Sequence, residues 1–166
     1  SNGILYASGD WFINEQGSTT DLKGELSSPD FGALLKGFGF DSGIKDSKAN
    51  FKFDLNWQDA PHKFSLSSLG GNIDWRLTDG YLSDVSDKGS RIFSILTLQS
   101  LVRKLSLDFR DVFAKGFFYD KMGGSMQIVD GKAETQDMVI DGAAGEMLIA
   151  GFTDLSTKEL NYRIEF

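Results

Sequence analysis

The chain has 166 residues, a net charge of −7, no cysteine and one histidine. That length supports one domain with a real core. The acidic balance argues against nucleic acid, whose binders carry basic patches, and against adsorption on anionic headgroups. The lack of cysteine excludes disulfides, thiolate zinc sites and cysteine nucleophiles. With 14 phenylalanines, 19 glycines and only 2 prolines, the composition suits long strands punctuated by turns and bulges.

In chain order, alternation predicts strands near 4–13 and 20–27. Ser28-Pro29-Asp30 ahead of Phe31 to Lys36 predicts a short helix that stops at Gly37. Long strands are expected at 43–57 and 62–77. In the first, Phe51, Phe53, Leu55 and Trp57 share one face; in the second, Phe64 and Leu66, then Ile73, Trp75 and Leu77, share another. The phase slip at Leu69-Gly70-Gly71 predicts a bulge or kink, and Asp79-Gly80 a tight turn before a strand at 80–86.

The segment 90–105 breaks the pattern. Ile92, Ile95, Leu96, Leu98, Leu101, Val102 and Leu105 have helical spacing, with Arg103 and Lys104 where cations complement a helix C-terminus. Its weak basic face favours an internal helix over one lying on a membrane. A second short helix is expected near 108–114. Strands follow near 116–129, 132–141, 145–153 and 158–166, with Asp130-Gly131 as a tight turn. No apolar run is long enough to span a bilayer.

These elements predict a mainly β fold of the α+β class. It is a long, curved antiparallel meander whose apolar concave face is covered by one or two helices. The chain reads as a single domain, cut from a longer protein.

Catalytic signals are weak. His62, beside Pro61, lacks the spacing of a triad or metal site and reads as a turn residue. Asp74, Asp79, Asp84 and Asp87 form no calcium loop and read as strand and turn aspartates. Gly70-Gly71 and Gly123-Gly124 lack the context of phosphate-binding loops and read as bends. No catalytic residue, metal site or cofactor is assigned, and the chain is not read as an enzyme. The long apolar face with Trp11, Trp57 and Trp75 suggests a ligand-lining surface instead.

Gly89 to Leu96, followed by Leu101-Val102-Arg103-Lys104-Leu105-Ser106-Leu107-Asp108-Phe109-Arg110-Asp111-Val112-Phe113, resembles the C-terminal region of the YhdP branch of AsmA-like proteins. Trp57 to Pro61, Leu69 to Ile73, Leu77 to Leu82, Asp137 to Gly142 and Gly151 to Leu155 add to the resemblance. It implies a periplasmic, β-rich piece of a large protein of a Gram-negative bacterium, anchored in the inner membrane outside this chain. It also implies kinship with bridge-like lipid transfer proteins.

The expected function is to shield phospholipid acyl chains in an apolar groove on their way to the outer membrane. Inner- or outer-membrane proteins are expected as further partners, and nucleic acid is not. Candidate groove residues are Phe51, Phe53, Leu55, Trp57, Phe64, Leu66, Ile73, Trp75 and Leu77. Ile92, Ile95, Leu96, Leu101 and Leu105 would cap the groove. The competing expectation is a scaffolding cap with a filled core that docks a membrane partner.

Overall fold

The computed structural model describes residues 2–39, 42–82, 117–143 and 145–165. The expected helices at 90–105 and 108–114, with the capping residues Ile92, Ile95, Leu96, Leu101 and Leu105, lie outside the described residues.

The described strands are β1 (Ile4–Asn14), β2 (Gly17–Ser28), β3 (Ile44–Lys45), β4 (Lys48–Gln58), β5 (Gly70–Leu82), β6 (Phe117–Val129), β7 (Lys132–Gly142), β8 (Gly145–Asp154) and β9 (Leu160–Glu165), with one α-helix, α1 (Phe31–Gly37). They form one open antiparallel sheet in the order β1-β2-β4-β5-β6-β7-β8-β9, with β3 also paired to β5. Apart from β3, the strands pair in their chain order, as expected for a meander.

Local chemistry explains the punctuation. Asp30 caps α1 by accepting the Ala33 N–H at 2.9 Å. Asp130 (φ 48°) and Gly131 (φ 74°) form the two-residue turn between β6 and β7, both in the left-handed region that a primed hairpin turn requires.

Three expectations are corrected. Residues 62–69 are not strand. They form a loop and a 3₁₀ turn at Leu66–Ser68, and β5 begins only at Gly70. Gly71 has φ 122°, and a Cβ there would lie 1.9 Å from the Asp54 carbonyl oxygen, so only glycine allows that close approach. The strand expected at 43–57 is interrupted. β3 and β4 pair with β5 in one continuous register, but Asp46 (φ 55°) and Ser47 separate them.

Asp79-Gly80 is not a turn. It lies within β5 opposite that interruption, with Asp79 left-handed (φ 54°). Around this level the buried positions jump by three residues instead of two: Ala49, Ser47 and Ile44, Leu77 and Gly80, Met122 and Tyr119. The interruption thus shifts the inward face of three neighbouring strands together. Tyr119, 2% exposed, donates to Ser47 Oγ at 2.7 Å, and Ser47 donates to the Thr78 carbonyl at 3.2 Å, so both hydroxyls are satisfied inside the core.

β7 carries a second irregularity. Its register with β8 shifts between Thr135 and Met138, and β6 and β7 have no register pairs between Gly123–Val139 and Gln127–Glu134. Asp137 fills the gap in the ladder, accepting the Ser125 N–H at 2.8 Å and the Ser125 hydroxyl at 2.7 Å. Partial burial opposes its charge, but the Ser125 and Thr135 bonds hold the carboxyl below its ordinary range.

Two clusters make the core. One joins Phe31, Ile44, Ala49, Leu77, Leu82, Phe117, Tyr119, Met122, Met138, Ile140, Met147 and Ile149. The other joins Trp57, Leu69, Ile128, Ala133 and Leu155. The strand register places the two clusters toward opposite ends of the strands, on the same face.

Candidate apolar binding face

Alternation puts one set of side chains from every strand on the core face, and register aligns them into rows that cross the strands. Leu5, Leu26, Phe51, Trp75 and Gly124 form one row. Ala7, Gly24, Phe53, Ile73 and Met126 form the next, and Gly9, Leu22, Leu55, Gly71 and Ile128 the third. Phe53 folds over Gly24, where a Cβ would come 2.5 Å from the ring.

These rows run from one cluster to the other, reaching the second at Ile128, and their exposure is graded. On β1, Leu5 and Trp11 are 60% and 50% exposed. Leu22, Leu26, Phe51, Phe53, Leu55, Ile73, Trp75 and Met126 are half-buried. On β7 and β8, Met138, Ile140, Met147 and Ile149 are at most 5% exposed. An accessible apolar strip therefore crosses β1, β2, β4, β5 and β6 and ends at buried side chains. Those five strands span about 19 Å at roughly 4.8 Å per spacing.

The expected groove residues separate by environment. Phe51, Phe53, Leu55, Ile73 and Trp75 lie in the strip, with Phe51 opposite Trp75 and Phe53 opposite Ile73. Leu77 (0%) and Trp57 (6%) are buried in the clusters instead. Phe64, in the loop, is 54% exposed and packs edge-on against Trp57 at 5.3 Å; Leu66, in the 3₁₀ turn, packs on the same cluster. Leu22 and Leu26 on β2 and Met126 on β6 also lie in the strip, though they were not among the expected groove residues. The alternation Leu22-x-Gly24-x-Leu26 was the signal for β2.

At one end of the strands, α1 meets this face: the Phe31 ring lies 5.1 Å from Phe51, and Leu34 and Leu35 pack on the same cluster. At the other end stand Trp57, Leu66, Leu69 and Leu155. The opposite face of the central strands is polar, with exposed pairs such as Lys23–Asp54 at 3.4 Å and Lys52–Glu25 at 3.4 Å. Lys52, Asp74, Arg76 and Lys121 help line a shallow depression of about 510 Å³ there.

His62 is exposed in the turn after Pro61, and Asp74 and Asp79 are exposed, with Asp79 bound to Lys48 at 3.1 Å. Asp84 and Asp87 lie outside the described residues. No group of three or more histidine or acidic residues among the described residues could hold a metal ion. No described helix is long and apolar enough to cross a membrane.

An open, meandering antiparallel sheet is the architecture this chain brings to its family. The YhdP family model matches residues 1–166, and the chain belongs to that family. It is 32% identical over 158 residues to the intermembrane phospholipid transporter YhdP of Escherichia coli (strain K12), covering 95% of this chain and 12% of that protein. No solved structure matches the chain.

Proposed function

We propose that the strip on β1, β2, β4, β5 and β6 is a stretch of lipid path, which carries phospholipid acyl chains toward the outer membrane through the periplasm. The accessible apolar side chains aligned in rows across five strands carry this reading. The relative's description as an intermembrane phospholipid transporter supports it.

The mechanism is passive. Exposing an acyl chain to water costs about 0.8 kcal/mol per methylene, or ~12 kcal/mol for a sixteen-carbon chain. A continuous apolar surface removes most of that barrier with no reacting group. Phe51, Phe53, Leu55, Ile73 and Trp75 would contact the chain, while α1 and the 3₁₀ turn bound the path on either side. Motion runs across the strands, since the rows run that way. The whole protein would be anchored in the inner membrane by a segment outside this chain, and membrane proteins at either end would complete the route.

Charged substitutions test the reading. Phe53→Asp and Trp75→Asp should abolish co-purifying phospholipid, measured by mass spectrometry of extracted lipid, while far-UV circular dichroism and the melting temperature stay near wild type. If both variants unfold, the strip is packed core and the scaffolding reading takes its place.

A further inference from the structure

The chain has four methionines, Met122, Met126, Met138 and Met147. All four project from the core face of β6, β7 and β8, where the accessible strip ends. Met126 pairs with Ile73 inside the strip. Met122 and Met147 both oppose Ile140, and Met138 opposes Ile149. Half-buried Phe51 and Trp75 pack directly against the cluster that holds Met122, Met138 and Met147. The patch is thus continuous with the strip.

Two properties set it apart from the leucine, isoleucine and phenylalanine upstream. Methionine has an unbranched, polarizable side chain that repacks around differently shaped apolar partners, as promiscuous binding surfaces use it. The ladder beside Met126 and Met138 is also interrupted. The β6–β7 ladder lacks register pairs between Gly123 and Gln127, and β7 is bulged between Thr135 and Met138. Asp137 side-chain bonds replace the missing ladder there. An adaptable side-chain set therefore sits beside an interruption of the β6–β7 and β7–β8 ladders.

We propose that this methionine patch is an acyl-chain-end subsite: it repacks to admit the terminal methylenes of a chain lying along the strip, so one path accommodates chains of different length. The proposal rests on the lipid-path reading.

Methyl-¹³C-methionine labelling gives four signals, assignable by single Met→Leu variants. Monomeric lauroyl- and palmitoyl-lysophosphatidylethanolamine are titrated in turn, with tryptophan fluorescence reporting occupancy of the strip. Met126 and Met138 should shift with both lipids, and Met122 and Met147 with the longer one alone. The double variant Met138→Leu/Met147→Leu, close to volume-conserving, should lose at least five-fold in palmitoyl-over-lauroyl preference. A fluorescence change with the Met122, Met138 and Met147 methyls unmoved overturns the subsite and leaves the lipid path standing. No fluorescence change removes both. Should the double variant fail to fold, the wild-type methyl shifts decide alone.

Discussion

Tyr119 and Ser47 place two hydroxyls in the apolar core, Tyr119 donating to Ser47 and Ser47 to the Thr78 carbonyl. Burial pushes the Tyr119 phenol up to about 12, against the opposing pull of the Ser47 bond. The folded state therefore holds the neutral phenol more tightly than the unfolded chain does. That stabilisation is complete below about pH 10, the unfolded value, and is lost as pH rises from there through 12. Urea titrations at pH 9, 10 and 11 should show a midpoint falling across this window, and Tyr119→Phe should flatten that fall. At neutral pH the same variant should cost about 1 kcal/mol, the net worth of one buried hydrogen bond.

At the scale of the element, α1 and β5 show two ways a segment is specified. α1 was readable, because an N-cap aspartate acts within three residues of its own position. Asp30→Ala should cost about 1 kcal/mol by thermal unfolding, and Asp30→Asn much less, because asparagine can still cap. β5 was misread at both ends. Phe64 and Leu66 have strand spacing, yet the segment folds as a loop and a 3₁₀ turn that packs on Trp57 and its neighbours. Asp79-Gly80 has the composition of a turn, yet β4 and β3 on one side and β6 on the other hold it in the sheet. Left-handed aspartates serve turns and phase shifts equally, so composition alone cannot separate them.

Across the whole molecule, apolar burial outweighs charge. The five ion pairs among the described residues have side chains 49–74% exposed, where such pairs contribute roughly 0–1 kcal/mol each and are screened by salt. Raising sodium chloride from low to half-molar should move the melting temperature by no more than about 3 °C. Leu77→Asp should instead unfold the chain, since it puts an unpaired charge at a position 0% exposed. Set beside Phe53→Asp on the neighbouring strand, it separates a residue that holds the sheet together from one in the proposed lipid path.

Period-two alternation, turn dipeptides and a capping aspartate are local, and they sufficed to announce a long antiparallel meander, most of its strands, α1 and seven candidate residues on β4 and β5. Family membership was readable for the same reason, as an ordered run of side chains. Which of those seven stay accessible was not readable. Phe53 and Leu77 carry equal apolar signals, and only their place relative to the two clusters makes one half-exposed and the other sealed. Nor could the phase jump at Asp46 and Asp79 be seen, or the meeting of Met122, Met138 and Met147 from three strands in one cluster. Register and burial are set by pairing between residues far apart in the chain, and no window of sequence contains both partners.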